Sequence, residues 1–206
     1  MKLILNKKYN PLFESDARYF IITGGRGSGK SYAATVFLTL LTMTQGIRIL
    51  FTRYTMTSAH LSIIPEFLEK IGLLGFDEVF SINKAEVVNT SNQSDILFRG
   101  IKTSAGNQTA SLKSLQGIST WVLDEAEELI DENIFDTIDL SIREKDIQNR
   151  IILILNPVTK EHWIYDRFFE SKGVEGGFNG VRDNVCYIHS TYLDNKENLS
   201  QSFLER

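Results

Sequence analysis

The segment from Tyr19 to Ser31 constrains the fold of this chain more than any other. An apolar stretch runs into a glycine-rich turn, and the eight residues from Gly24 to Ser31 have the spacing G-x-x-x-x-G-K-S. In this pattern glycines allow backbone N–H groups to converge on phosphate oxygens at the N-terminus of a helix. An apolar strand before the turn and a helix predicted over residues 31–45 are the context that the motif requires. The segment therefore predicts a phosphate-binding loop rather than an ordinary turn.

The loop residues have separate predicted roles. Lys30 would reach the β- and γ-phosphates of a nucleotide, and the hydroxyl of Ser31 would bind Mg²⁺. We expect ATP and Mg²⁺ as ligands, and we assign catalytic roles to Lys30 and to Arg26 as a contributor from within the loop. The predicted nucleotide-binding residues are Gly24, Gly25, Arg26, Gly27, Ser28, Gly29, Lys30 and Ser31.

A second segment, residues 120–126, is an apolar strand that ends in two acids, and it resembles a Walker B motif. Asp124 would hold Mg²⁺ through water, and Glu125 would orient and deprotonate the attacking water. Two acids after a strand can also form the first turn of a helix, where the helix dipole favours negative charge. The phosphate loop earlier in the chain favours the catalytic interpretation. The acids that follow are interpreted as a solvated helix start: Glu127, Glu128, Asp131 and Glu132.

Asn156 is the fourth candidate catalytic position, after Lys30, Arg26 and Glu125. It follows the apolar run at residues 151–155, which is typical of a parallel strand buried on both faces. Ligands of open α/β sheets bind at the carboxyl ends of the strands, so the amide would sense the γ-phosphate or the attacking water. Asn-Pro is also a common start of a turn, and this alternative stays open.

Composition restricts the class of protein. With 206 residues, 42% hydrophobic and 23% charged, the chain is long enough for one α/β domain with a sizeable core. A net charge of −4 argues against a strongly basic nucleic-acid clamp. The single Cys186 excludes an internal disulfide and a cysteine-rich zinc site, and we expect it to be a buried small hydrophobe. No apolar run approaches eighteen residues, so we expect a cytoplasmic protein that does not enter a membrane.

The rest of the chain is read from its periodicity. We predict strands at residues 48–53 and 185–189, a helix at 160–170, a hairpin within 78–101 that turns at 89–92, and loops at 102–112 and 173–180. The aromatic-apolar stretch at residues 9–13 would lie against an adenine ring or cover the sheet edge. A further helix, residues 58–74, is expected to bury Leu61, Ile64, Phe67, Leu68 and Ile71.

Taken together, these segments resemble the large terminase subunits of tailed bacteriophages, in particular the prophage PBSX-type branch. The phosphate loop GGRGSGKS and the acid-ended strand WVLDEA are shared by many ATPases. LFRG at residues 97–100 is a further match, and family specificity comes from NPVTKEHWIY at residues 156–165 and HSTYLDN at residues 189–195. The matches cover most of the chain from Tyr19 onward.

The resemblance implies an α/β fold of the P-loop NTPase class, of the additional-strand catalytic-glutamate (ASCE) type. Its mainly parallel central sheet would be flanked by helices and carry a small β-hairpin insertion. Residues 1–195 would form the ATPase motor domain, and residues 196–206 would begin a linker toward a nuclease domain that is absent from this chain.

The resemblance also implies a function in genome packaging. ATP hydrolysis would drive double-stranded DNA through a portal ring, with the portal protein and the small terminase subunit as partners, in the cytoplasm of the bacterial host. The active form would be a homo-oligomeric ring, and the isolated chain a monomer. The alternatives are a helicase-like translocase of the same class and a nucleotide-gated switch with little turnover.

Relatives often place a basic residue shortly before the acid-ended strand to complete a neighbour's site, and this chain has Gln116-Gly117 there. Because that residue would come from a neighbour, we expect slow turnover by the monomer. The net charge of −4 predicts weak DNA binding. The acids from Asp124 to Glu132 are assigned to the nucleotide Mg²⁺ and to a helix start, so we expect no DNA cleavage. The candidates for the residue donated to a neighbour are Arg99, Lys113 and Arg143, the last of which is more typical of a surface ion pair.

Overall fold

A central sheet organises the computed structural model, which describes residues 4–56, 59–103, 106–107 and 109–205. Within these ranges the sheet has ten strands, in the spatial order β3-β4-β5-β2-β7-β8-β1-β10-β9, with β6 paired to β5. The strands are β1 Tyr19–Gly24, β2 Arg48–Thr55, β3 Phe80–Ile82, β4 Glu86–Asn89, β5 Asp95–Thr103, β6 Gly106–Asn107, β7 Thr120–Asp124, β8 Arg150–Leu155, β9 Gly180–Arg182 and β10 Val185–Ser190.

The six central strands, β5-β2-β7-β8-β1-β10, are all parallel, and β4, β3 and β9 extend the sheet antiparallel at its edges. β8 lies between β1, which leads into the phosphate loop, and β7, which ends in Asp124. This additional strand is the arrangement expected for the ASCE type. Register aligns Thr23 with Leu155 and Asp124 with Ile154. The loop, the acids and Asn156 consequently meet at one edge of the sheet.

Helices cover both faces of the sheet and bury two separate cores, because side chains of a strand alternate between its faces. Phe20 and Ile22 of β1 lie in one core and Ile21 lies in the other. The first core includes residues of α1, α2 and α4, and the second includes residues of α5, α6 and α7. The helices are α1 Pro11–Glu14, α2 Lys30–Leu41, α3 Ala59–Ser62, α4 Ile64–Leu74, α5 Thr109–Lys113, α6 Glu132–Asp139, α7 Trp163–Phe168 and α8 Gln201–Leu204.

The helix after the phosphate loop is shorter than the predicted 31–45, since α2 ends at Leu41. Its C-cap carbonyl, that of Thr42, accepts hydrogen bonds from the side-chain amides of Asn89 at 3.1 Å and Asn92 at 3.0 Å. Asn89 is the last residue of β4, and Asn92 lies in the turn between β4 and β5. A tertiary contact thus satisfies the carbonyl that a longer helix would have used.

The helix predicted over residues 58–74 divides at Ile63 into α3 and α4. Ile64, Phe67 and Ile71 are buried as predicted. Burial of Leu61 and Leu68 was a wrong prediction, because their exposed fractions are 74% and 47%. Leu61 lies on the separate helix α3, so the periodicity of α4 does not extend to it.

Other predictions are refined by the sheet. The hairpin is confirmed, and its arm β5 is also a core strand that pairs in parallel with β2. The loops at 102–112 and 173–180 contain short elements that were not predicted, namely β6 and α5 in the first and the start of β9 in the second. The helix predicted at 160–170 is shorter in the structure, where it is α7.

Cys186 is buried, as predicted. Burial raises the pKa of its thiol to about 11.

None of the helices in the described ranges has the length and apolarity needed to cross a bilayer.

Candidate active site

The phosphate loop joins the end of β1 to α2, which begins at Lys30, one residue earlier than expected. Gly27 and Gly29 have φ angles of 78° and 86°, a left-handed conformation that costs energy in residues with a Cβ atom. Gly24 is required for a different reason, since a Cβ atom there would lie 2.3 Å from the carbonyl oxygen of Ser190. These glycines therefore allow the loop to curve while it lies against β10.

The side chain of Lys30 lies across the mouth of the loop. Its Nζ donates hydrogen bonds to the carbonyl oxygens of Gly24 at 2.5 Å and Gly25 at 3.2 Å, and to Oδ1 of Asn156 at 3.3 Å. Burial lowers the pKa of this ammonium group, and two nearby carboxylates act in the opposite direction. A cation held beside a helix N-terminus forms a site for a phosphate anion.

Asp124 is the last residue of β7, and only 6% of its side chain is exposed. Arg53 of β2 binds it through Nε at 2.8 Å and Nη2 at 2.7 Å, and both contacts end on Oδ2. Arg53 was not predicted as a site residue from the sequence. The sequence does contain one feature that could have identified it. Arg53 is a charged residue at the carboxyl end of a predicted parallel strand, and Lys30 and Asp124 lie at the same edge of the sheet.

Glu125 follows the strand in a left-handed conformation, with φ 54° and ψ 45°. This conformation is uncommon for a residue other than glycine and costs energy that surrounding contacts must offset. Burial raises the pKa of its carboxyl group, and Arg53, whose Nε lies 3.6 Å from Oε2, opposes that shift. The side chain is 47% exposed, so a water molecule can reach it.

Asn156 connects the loop to a third acid, Glu127. Its Oδ1 accepts from Lys30, and its Nδ2 donates to Oε1 of Glu127 at 2.6 Å. Oε2 of Glu127 is buried and has no hydrogen-bond partner within the described part of the chain. The prediction that Glu127 belongs to a solvated helix start was wrong, because the fold turns this side chain into the site.

The later acids do belong to the start of a helix. Asp131 is the N-cap of α6, and its Oδ1 accepts from the backbone N–H of Asn133 at 3.0 Å. Glu132 in the first turn binds Arg167 at 2.9 Å. Glu128 is exposed, in the turn between β7 and α6.

Two adjoining cavities surround the loop. The first, about 420 Å³, is lined by the loop itself and by Arg53, Asp124, Glu125, Glu127 and Asn156. The second, about 680 Å³, is lined by the N-terminal residues Ile4–Asn6 and Tyr9 and by residues 193–198. Ser28, Gly29, Tyr32 and Asn195 line both, so the two cavities adjoin at these residues.

The two aromatic residues of the N-terminal segment have different surroundings, and contact with an adenine ring stays a prediction. Tyr9 lines the second cavity, although its ring is almost completely buried and its hydroxyl group bonds inward. Phe13 packs edge-on against Phe37 of α2 with ring centroids 5.1 Å apart. This second residue therefore covers the helix that flanks the sheet.

The basic residues that are candidates for completing the active site of a neighbouring subunit lie on separate parts of the molecule. Arg26 is exposed within the loop. Arg99 of β5 donates to the carbonyl oxygens of Ala85 and Phe98, and Arg143 is exposed beyond α6. The side chain of Lys113 lies outside the described part of the chain, and which residue has this role stays a prediction.

Comparison with known proteins gives one consistent result. A family model described as phage terminase large subunit matches residues 16–206. The PBSX phage terminase large subunit of Bacillus subtilis (strain 168) is 28% identical over 205 residues, which cover 92% of this chain and 46% of the relative. The terminase large subunit of Bacillus phage SPP1 is 25% identical over 224 residues, 99% of this chain and 50% of the relative. The chain thus spans about half the length of these curated relatives.

Solved structures agree on the fold. The large terminase of a thermophilic bacteriophage superposes with a TM-score of 0.77 at 14% identity, covering 99% of this chain and 50% of that one. A second structure of the same thermophilic-phage protein, in complex with ATP-gamma-S, gives a TM-score of 0.71 at 14% identity and covers 98% of this chain and 48% of that one. The N-terminal domain of the DNA packaging ATPase from bacteriophage phi29 gives 0.64 at 18% identity, with 88% of this chain and 95% of that one covered. At these identities the likeness shows a shared fold.

Proposed function

Because the chain belongs to the phage terminase large subunit family, we propose that it is the ATP-hydrolysing motor domain of a DNA-packaging enzyme. One observation carries this proposal. Lys30, Asp124 and Glu125, from separate segments of the chain, line a single cavity at the carboxyl edge of a parallel sheet, where ligands of such sheets bind. The ATP-gamma-S complex of the thermophilic-phage terminase, a protein of the same fold, supports ATP as the nucleotide.

Substrate binding would begin at the loop. Backbone N–H groups from Gly27 to Ser31 would bind phosphate oxygens, and Lys30 would exchange its carbonyl partners for the β- and γ-phosphates. The adjoining cavity of about 680 Å³ would hold the nucleoside. Asn156, which already contacts Lys30, lies where it would sense the γ-phosphate.

Ser31 and Asp124 fit a magnesium site. Both line the cavity, and the two bonds from Arg53 end on Oδ2 of Asp124, so Arg53 does not occupy Oδ1, which would bind the cation or its water. Mg²⁺ commonly takes one or two protein oxygens, with phosphates and waters as the remaining ligands. When bound, the ion would neutralise charge on the phosphates.

Glu125 would act as the general base. It would accept a proton from the attacking water, whose oxygen bonds to the γ-phosphorus while the bond to the β-phosphate oxygen breaks, so that ADP and inorganic phosphate form. The raised pKa of this carboxyl makes it a better proton acceptor than an ordinary glutamate. Arg53 would keep it next to Asp124.

The proposed partners follow from the family. We propose double-stranded DNA as the translocated substrate, the portal protein and the small terminase subunit as binding partners, and a homo-oligomeric ring as the active form, in the cytoplasm of the host. A neighbouring subunit in that ring would donate a basic residue, worth on the order of 10³–10⁵ in rate. The isolated chain is therefore expected to turn over slowly.

The proposal is tested by separating binding from chemistry. Lys30→Ala removes a contact to ground-state phosphates and should weaken ATP binding, whereas Glu125→Gln removes the base and should keep binding while turnover falls by about 10²–10⁴-fold. Glu128→Gln, an exposed acid of the next turn, is the matched control. Binding is measured by titration calorimetry and turnover by phosphate release.

Two results would contradict the proposal. Hydrolysis by Glu125→Gln at the parental rate would remove Glu125 as the base. A parental protein that binds ATP but releases no phosphate, alone or with DNA and portal, would favour a nucleotide-gated switch.

A further inference from the structure

The outer side of the phosphate loop is held by both ends of the chain. Nδ2 of Asn195, near the C-terminus, donates to the carbonyl oxygen of Gly27 at 2.9 Å. The hydroxyl of Tyr9, near the N-terminus, donates to the carbonyl oxygen of Ser28 at 3.0 Å. Two successive carbonyl groups of the loop are therefore fixed by side chains that do not belong to the loop.

These two bonds determine where the following N–H groups point. In a planar trans peptide the carbonyl of one residue and the N–H of the next point in opposite directions. With the carbonyls of Gly27 and Ser28 turned outward, the N–H groups of Ser28 and Gly29 are turned to the inner side of the loop. In agreement, the N–H of Ser28 makes a long contact, 3.4 Å, with the carbonyl oxygen of Gly25 across the loop.

The two holding side chains are themselves fixed. Only 2% of Tyr9 is exposed, and its hydroxyl also hydrogen-bonds to Oγ of Ser190 at 2.5 Å. Oδ1 of Asn195 accepts from Nδ2 of Asn198 at 2.8 Å, which leaves the Nδ2 donor of Asn195 directed at the loop. Neither side chain can turn away without losing a second hydrogen bond.

Apolar side chains cover the same outer surface. A Cβ atom at Gly27 would lie 3.1 Å from the ring of Phe203 and 3.3 Å from Leu199. A Cβ atom at Gly29 would lie 3.7 Å from the side-chain amide of Asn195, which also lines both cavities. The C-terminal segment thus packs on the loop through three of its own residues, Asn195, Leu199 and Phe203. Asn195 lies at the boundary between the cavity of about 420 Å³ and the cavity of about 680 Å³.

We propose that Asn195 and Tyr9 are positioning residues that hold the phosphate loop, from outside, in the conformation that binds phosphate. The inference rests on the proposed ATP site. Neither residue reacts with the nucleotide, and each acts by setting the direction of backbone N–H groups before the ligand arrives. Such groups contact phosphates in the ground state and the transition state alike, so their loss raises KM more than it lowers kcat.

The test uses three variants and two controls on the 206-residue chain. Asn195→Ala and Tyr9→Phe each remove one donor, and Asn195→Asp replaces the donor with a carboxylate that faces the Gly27 carbonyl. The controls are Ser202→Ala and Tyr187→Phe. Ser202 lies in the same C-terminal segment as Asn195, and Tyr187 is another buried tyrosine, whose hydroxyl donates to the carbonyl oxygen of Phe168. The probes for Kd are Mg-ADP and inorganic pyrophosphate, measured by titration calorimetry. KM and kcat for ATP are measured by phosphate release, and the stability of the unliganded protein by thermal melting.

We expect the Kd for both probes to rise by about threefold to tenfold in Asn195→Ala and Tyr9→Phe, and by more in Asn195→Asp. The controls should bind like the parent. Unchanged Kd and KM in the Asn195 variants, with only a lower melting temperature, would overturn the inference and leave the proposed function intact. A parental protein that binds neither probe would instead overturn the proposed function together with this inference. The Asn195 pair decides the result if Tyr9→Phe fails to fold.

Discussion

At the scale of single residues, Arg53 determines how Asp124 and Glu125, the proposed metal ligand and the proposed base, are held. Asp124 and Glu125 are consecutive carboxylates, and Glu127 is close by in the same cavity. Without a cation these groups would repel one another. The guanidinium group of Arg53 binds Oδ2 of Asp124 and lies 3.6 Å from Glu125. Arg53 therefore keeps the carboxylates of Asp124 and Glu125 in a fixed relation.

The first prediction concerns this residue. Arg53→Ala should lower the rate of ATP hydrolysis by about tenfold to a hundredfold, because small displacements of a reacting group have effects of that size. Phosphate release at saturating Mg-ATP measures it. Arg182→Ala, an exposed arginine of β9, is the control. A parental rate in Arg53→Ala would show that Asp124 and Glu125 are oriented by other contacts.

The residues of the site differ in how far the sequence predicts them. The phosphate loop and Asp124 belong to local motifs, in which the residue types and their spacing carry the chemistry. Arg53, Glu127 and Asn195 enter the site through the strand order and through the packing of the C-terminal segment on the loop. Sequence periodicity predicts neither the strand order nor this packing. Arg53 and Asn195 were therefore not predicted as site residues, and Glu127 was assigned to a solvent-exposed helix start.

At the scale of elements, the two ends of the chain interlock behind the loop. Nζ of Lys8 binds Oδ2 of Asp194 at 2.9 Å, and Nδ2 of Asn6 donates to the backbone carbonyl of Asp194 at 2.6 Å. The same carboxylate caps the turn that begins after Thr191. Asp194 thus joins the N-terminal turn to the segment that carries Asn195.

This contact gives a pH-dependent prediction. The hydrogen bond from Lys8 is the main cause that holds the pKa of Asp194 below its usual range, so the folded state favours the ionised carboxylate. That stabilisation is fully present above the ordinary value of about 3.9 and is lost as the pH falls through the lower folded-state pKa. Asp194→Asn should therefore lower the free energy of unfolding at pH 7 by about 1 kcal/mol, with a smaller difference below about pH 4.

Urea unfolding followed by circular dichroism at pH 7 and at about pH 3.5 measures the difference. Asp183→Asn is the matched control, since Asp183 forms an exposed ion pair with Lys172 at another edge of the sheet. A difference between Asp194→Asn and the parent that stays equal at both pH values would contradict the ionised role of Asp194.

The fold shows the same division between local and distant signals. Core strands such as β7 and β8 were predicted because they are continuous apolar runs bounded by polar residues. Element ends were predicted less well, because they depend on partners from elsewhere. The side-chain amides of Asn89 and Asn92 bind the carbonyl group at the C-terminus of α2, and β9 is defined by its pairing with β10. The sequences of α2 and β9 themselves contain no pattern that predicts these contacts.

At the scale of the whole molecule, several acids from the end of β7 to the end of α6 form ion pairs with arginines of distant elements. Arg53 binds Asp124, and Arg167 of α7 binds Glu132 at 2.9 Å and Asp136 at 2.6 Å. Arg18, just before β1, binds Asp139 at 2.6 Å. Within the described ranges no group of three or more His, Cys, Asp or Glu side chains is arranged to hold a metal ion.

The last prediction follows from that distribution of charge. Two-metal nuclease chemistry needs several carboxylates converging on ions about 3.5–4 Å apart, and most of the acids between Asp124 and Asp139 are already bound to arginines or to a helix N-terminus. The chain should therefore leave supercoiled plasmid intact in the presence of Mg²⁺ or Mn²⁺. A net charge of −4 should also keep its DNA affinity low, since tight nonspecific binding needs many phosphate contacts. Agarose gels of plasmid incubated with parental and Asp124→Ala protein provide the measurement. Metal-dependent nicking of equal extent by both proteins would reveal a second active site that does not use the nucleotide acids.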